Sequence, residues 1–347
     1  MKVQNLFLGF IASMFLLYFL YLAQSLIIPF VIALFIWYII ISTKTAIQTI
    51  RIAKIKIPDW IATTLALIIF ILVAWIFITF INSTLADVLK SAPDYQNKFQ
   101  ILVNKIINHW PVAQEVNLKK MLSWLNLSNI ATTTASLLTS IASFTGMIFI
   151  YVVFLLLEYK TFKIKFINLF KERKTKKEAV KLMVHISQDV NTYLKIKTFT
   201  SLLTAVLSYL VLITFGIQFA PFWALLVFIL NYIPNIGSLI AVTLPIIFAI
   251  IQIGNFYTIL FLLLTLFVIQ FIIGNIVEPK LMGKSLNLSP LVILISLVIW
   301  GNIWGVVGMF LSVPIMVIIN IILSYFPSTK SIAMLLSTQG KIEKTKP

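Results

Sequence analysis

From Thr198 to Val277 the chain carries no charged side chain, and Pro221, Pro234, Gly237 and Pro245 punctuate the run. A soluble domain cannot hide so long an uncharged segment, whereas a bilayer takes about 20 apolar residues per helical crossing. Several membrane segments therefore lie here, and the punctuation breaks at least one of them. Lipid offers nothing to the backbone groups that a break frees, so a broken membrane helix lines a cavity or lies against other protein. A permeation pathway is the expectation.

With 61% hydrophobic and 11% charged residues, the chain as a whole is no ordinary globular domain. A transmembrane β-barrel would alternate in polarity over strands of about ten residues, but the apolar runs are continuous, as in Leu65–Ile81 and Leu260–Ile273. The fold class is all-α, a polytopic integral membrane protein. The net charge of +17 sits in loops between apolar runs, where it sets orientation and meets anionic lipid head groups; that placement argues against nucleic acid as a partner. With no cysteine there is neither disulfide nor thiolate chemistry. The apolar stretch Leu6–Leu22 has no small-residue cleavage site behind it and reads as a retained first helix.

Spans are expected near 6–23, 26–42, 60–82, 136–157, 198–216 and 255–276, with less regular segments at 221–253 and 290–326. About eight transmembrane segments result. The loop Thr43–Pro58 holds Lys44, Arg51, Lys54 and Lys56 with no acid, and 159–197 is dense in Lys and Arg; both belong in the cytoplasm. Ser83–Ala135, whose lysines are offset by Asp87, Asp94 and Glu115, belongs outside, and both termini then fall in the cytoplasm. The expected organisation is an N-terminal three-helix region 1–82, an extracytoplasmic helical segment 83–135, a fourth span 136–158, a basic cytoplasmic helical loop 159–197, a transport core 198–326 and a tail 327–347. The outer segment, with a break at Trp110-Pro111, reads either as a cap on the membrane surface or as a helical loop packed on the bundle.

Two segments match each other. One opens at Pro221, breaks around Asn231, Pro234, Asn235 and Gly237, and closes at Pro245; the other opens at Pro290, breaks around Gly301 and Asn302, and closes at Pro314 with the same spacing between prolines. The first arms, Phe222–Tyr232 and Leu291–Trp300, cover only about 15–17 Å at 1.5 Å per residue. Half a bilayer is too short to cross, so each segment is read as a re-entrant helical hairpin, the first entering from outside and the second from inside, like the inverted pairs of secondary transporters. The competing reading is two kinked helices whose Pro and Gly serve only packing.

Enzymatic chemistry finds no support. His109 and His185 sit in the outer and inner loops, no aspartate lies within an apolar span, and no Gly-x-x-x-x-Gly-Lys loop is present to hold ATP phosphates. No cofactor is expected. What remains is Gly274-Asn275-Ile-Val-Glu278-Pro279, followed by Lys280, Gly283 and Lys284; Glu278 is the only acid between Asp189 and Glu343. An acid at the inner mouth of an uncharged bundle is either functional or an ion-pair partner of Lys280 or Lys284 at head-group level. Glu158, beside Lys160, reads as an interfacial anchor. Asn231, Asn235, Asn302, Gln252 and Gln270 supply uncharged hydrogen bonds to a solute or bridge helices.

On Pro234-Asn-Ile-Gly237, Glu278-Pro-Lys-Leu-Met-Gly283, Leu288-Ser-Pro-Leu-Val, Trp304-Gly-Val-Val-Gly308 and Val313-Pro314, the chain resembles the autoinducer-2 exporter (AI-2E) family of bacterial inner-membrane permeases. The resemblance implies export of small polar molecules, a furanosyl signalling molecule in some members, sodium or lithium exchange for protons in others, and homo-oligomeric assembly. It marks Glu278, Pro279, Gly283, Pro234 and Gly237 as functional positions, beside Asn275, Asn231, Asn235, Gly301 and Asn302 from the residue reading. The expected function is export of a small polar solute by alternating access between the two hairpins. A cation/proton antiporter titrating Glu278 and a non-transporting membrane scaffold are the alternatives.

Overall fold

The computed structural model describes residues 3–49, 57–109, 144–169, 172–283, 287–338 and Gly340. The expected break at Trp110-Pro111, the rest of the outer segment with Glu115, the start of the fourth span, and Lys284 lie outside the described residues. The described elements are helices, in the order α1 (Val3–Leu22), α2 (Gln24–Thr49), α3 (Asp59–His109), α4 (Thr145–Asn168), α5 (Arg173–Thr214), α6 (Ala220–Leu230), α7 (Ile236–Ile253), α8 (Phe256–Ile272), a π-helical turn (Ile273–Val277), α9 (Glu278–Met282), α10 (Pro290–Tyr325) and α11 (Lys330–Leu336). Among the described residues, six helical stretches are long and apolar enough to cross a membrane. The polytopic all-α reading holds.

Both irregular segments are hairpins. In the first, α6 has 11 residues, about 16 Å of helix, and its C-terminus turns through residues 231–235 into α7, which packs back on it. Gly237 makes the turn possible: a Cβ there would lie 1.7 Å from the Leu230 carbonyl oxygen, closer than any side chain allows. In α10, Ser296 Oγ donates to the Ser312 carbonyl at 3.1 Å. Sixteen residues of straight helix would hold them about 24 Å apart, so α10 doubles back on itself. The reversal is at Trp304 (φ −125°, ψ 15°) and Gly305 (φ 61°, ψ −141°), three residues beyond the Gly301–Asn302 break read from the sequence. Gly305 holds backbone angles that only glycine adopts freely, whereas Gly301 stays helical and leaves room for Met309 of the returning arm, 3.0 Å from where its Cβ would be. Gly308 repeats the role of Gly237, with a would-be Cβ 1.8 Å from the Trp300 carbonyl oxygen.

The hairpins enter from opposite ends of α5. At the α5 C-terminus, Gln252 binds the Gly216 carbonyl and the Gln218 amide, closing the base of the first hairpin. Near its N-terminus, the Tyr325 hydroxyl donates to the Glu178 carbonyl, fixing the end of the second. The two meet between these ends, with the Tyr232 and Phe310 rings 4.6 Å apart and the Trp304 indole donating to the Leu20 carbonyl of α1 at 3.0 Å.

Several sequence boundaries fall inside single helices. α3 runs unbroken from the third span through residues 82–83 to His109, so this part of the outer segment continues the span rather than folding into a separate cap. Its buried Tyr95 packs between Phe219 and Phe248 and donates to Gln218 at the base of the first hairpin. α5 likewise joins the basic loop to the fifth span across Lys197–Thr198, and α4 carries the fourth span past Glu158. Apolar residues of α2, α3 and α4 form a second body around Ala33, Ile40, Ala66 and Ile148.

Candidate functional site

Along one face of α5 runs a buried polar stripe: Tyr193, Lys197, Thr200, Ser201, Thr204 and Ser208 are each less than a tenth exposed. Spacings of three and four residues put these groups on one side of the helix, where only protein or a bound solute can partner them, because lipid supplies nothing. The tip of the first hairpin supplies a partner for Ser201 and a further contact beside the stripe. Asn231 donates to Ser201 Oγ at 3.2 Å and accepts from Gln270 of α8 at 2.9 Å, so one buried amide joins three elements. The Tyr232 hydroxyl donates to Thr198 Oγ1 at 2.8 Å.

Glu278 partners two more members of the stripe. Lys197 Nζ lies 2.6 Å from Glu278 Oε1, with side chains 8% and 16% exposed, and Thr200 Oγ1 donates to Oε2 at 3.4 Å. The cation is thus Lys197, from a helix far away in sequence, whereas Lys280, one of the two neighbours offered as an alternative partner, is exposed. Burial decides it, because a carboxylate facing the bundle gains more from a cation that is also shielded from water. The π-helical turn aims the acid. Its extra residue moves the Glu278 amide bond back to the Ile273 carbonyl and rotates the helix that follows, and such turns are frequent at functional sites.

These groups wall a cavity of about 550 Å³. The hairpin tip contributes Asn231, Pro234, Asn235 and Ser238; α8, the π-turn and α9 contribute Gln270, Gly274, Asn275 and Glu278; and α5 contributes Tyr193 and Lys197. Phe267, Phe271 and Leu239 supply apolar wall. The arrangement offers amide, hydroxyl and paired-charge contacts inside an apolar bundle, suited to binding an uncharged or internally compensated polar group.

Of the positions singled out in the sequence, Asn231, Pro234, Asn235, Asn275 and Glu278 come together on this wall. Gly237 lies behind it, closing the hairpin. Pro279 and Gly283 are exposed beyond it, and Gly301 and Asn302 belong to the second hairpin, where the Asn302 amide donates to the Val298 carbonyl of its own helix. Gln252 is a bridge, and Glu158, read as an interfacial anchor, pairs with Lys165. Sequence reasoning missed Tyr193 and Lys197. The signal was there, as polar residues at helical spacing leading into the uncharged run, but Lys197 was counted with the solvated basic loop.

Comparison with known proteins gives one consistent picture. A model of the family described as AI-2E family transporter matches residues 10–328. The chain is 34% identical over 358 aligned positions to a Haemophilus influenzae protein named for an inferred transport role, covering 100% of this chain and 99% of that one. It is 31% identical over 326 positions to the AI-2 transport protein TqsA of Escherichia coli, covering 92% and 91%. To Escherichia coli YhhT, also named for an inferred transport role, it is 43% identical over 147 positions, 42% of each chain.

Proposed function

Because the chain belongs to the AI-2E transporter family, we propose that it is a bacterial inner-membrane permease that exports a small polar solute through the cavity under the first hairpin tip. The observation that carries the reading is the Ser201–Asn231–Gln270 and Lys197–Glu278 network on the wall of that cavity. Buried polar groups are costly within a membrane and mark substrate pathways. A scaffold needs neither this network nor two opposed hairpins. An antiporter needs a carboxylate free to exchange a proton for a cation, and Glu278 is committed to Lys197.

Transport runs by alternating access, with the hairpins entering from opposite faces and closing in turn on the solute. Both termini face the cytoplasm, a direction supported by the basic residues around Lys44 and Lys176 at the end of the bundle where Tyr325 meets Glu178. The same residues meet anionic head groups, and the chain assembles as a homo-oligomer. The relative named for AI-2 transport makes an autoinducer-type signalling molecule the first solute to try. Purified protein in liposomes, assayed for efflux of candidate solutes under imposed sodium or proton gradients, tests the reading. Saturable flux without a cation requirement supports it; cation-driven proton movement alone would favour the antiporter.

A further inference from the structure

The inner end of the cavity holds a group that nothing above employs. Tyr193 is 3% exposed and lines the cavity, and its hydroxyl finds no hydrogen-bond partner among the described residues. A buried hydroxyl left unpaired is costly, and native structures keep few of them. One turn along α5 stands Lys197, locked to Glu278 across the same cavity wall. A tyrosine hydroxyl both donates and accepts, whereas the ion pair beside it has no net charge.

We infer that Tyr193 and the Lys197–Glu278 pair form a second subsite, which takes an uncharged hydroxyl or carbonyl group of the solute and rejects a net charge of either sign. The inference rests on the permease reading and deepens it. An arriving anion would be repelled by Glu278 and an arriving cation by Lys197, each at short range and low dielectric. Each is also attracted by the opposite member, so the neutral pair gives little net Coulombic gain to offset the water an ion sheds on entering the bundle. A neutral group meets no such opposition and satisfies the Tyr193 hydroxyl. The amide pair of Asn231 and Gln270 sits one turn further along the same stripe, at Ser201, and carries no formal charge.

The chain has no cysteine, so a Tyr193→Cys variant of the full-length protein in native membranes presents a single thiol. The probes are the neutral methyl, the cationic trimethylammonium-ethyl and the anionic sulfonatoethyl methanethiosulfonates, with Asn235→Cys at the hairpin tip as the reference position. The neutral reagent should outpace both charged ones at position 193, by a ratio about tenfold larger than at position 235. Adding Glu278→Gln should then favour the anionic over the cationic reagent by about tenfold, and adding Lys197→Met should reverse that order. If either second substitution prevents folding, the comparison of the two single-thiol variants still decides. An unreactive thiol at 193 beside a reactive one at 235, equal ratios at both positions, or charge preferences that the second substitutions leave unmoved would each overturn the inference. Labelling does not require flux, so its failure is distinguishable from failure of the permease reading.

Discussion

Glu278 and Lys197 stand 81 positions apart in sequence and 2.6 Å apart in space. The acid was legible because it stands alone in an uncharged stretch; its partner was not, because a lysine at the edge of a basic loop looks like any other solvated one. Removing one member of a buried pair strands the other charge, at a cost of about 3–5 kcal/mol. Glu278→Gln and Lys197→Met should therefore each lower the unfolding temperature of the purified protein, while the double variant recovers most of the loss without recovering flux. Full stability of Glu278→Gln alone would mean that the pair is not made. Glycine offers a second test at this scale. Gly237→Ala and Gly308→Ala drive a methyl into backbone oxygens at 1.7 and 1.8 Å, which costs at least the roughly 1–3 kcal/mol typical of overpacking. Both should reduce folded yield and flux, whereas Gly146→Ala, where a Cβ meets nothing within 4 Å, should leave both unchanged.

At the scale of elements, the matched prolines and the short first arms favoured two hairpins over two kinked helices, and the reversal of both segments in the structure decides for hairpins. Position within the turn was harder to read. Gly301, Gly305 and Gly308 all precede Pro314, and only backbone angles and the Met309 contact reveal which reverses the chain and which merely make room. Boundaries of span and loop were read at residues 82 and 197, but α3 and α5 run through both without breaking, so the change in composition there accompanies no change of secondary structure. The outward part of α3 earns its order from Tyr95, whose hydroxyl holds Gln218 at the base of the first hairpin. Tyr95→Phe removes one hydrogen bond, about 1 kcal/mol, and hydrogen exchange should rise over residues 83–109 while the second hairpin stays protected. Equal exchange in parent and variant would show that the contact does not hold this segment.

For the whole molecule, the count of basic residues in the loops proposes a direction, with Lys44, which pairs with Asp59, and the end of α5 where Tyr325 meets Glu178 assigned to the cytoplasmic side. Thr175→Cys should be labelled by membrane-impermeant reagents only from the cytoplasm, and Lys90→Cys only from outside; labelling of both from one side would invert or collapse the topology. The central claim is that solute passes through the cavity beneath the first hairpin. Its most direct test is flux in liposomes before and after stoichiometric modification of an Asn235→Cys variant, since Asn235 lines the cavity at the hairpin tip and the unmodified chain has no thiol. Attaching a bulky group there should abolish transport, and reducing the adduct should restore it. Undiminished flux through fully modified protein would contradict the account, because the solute would then be crossing by another route.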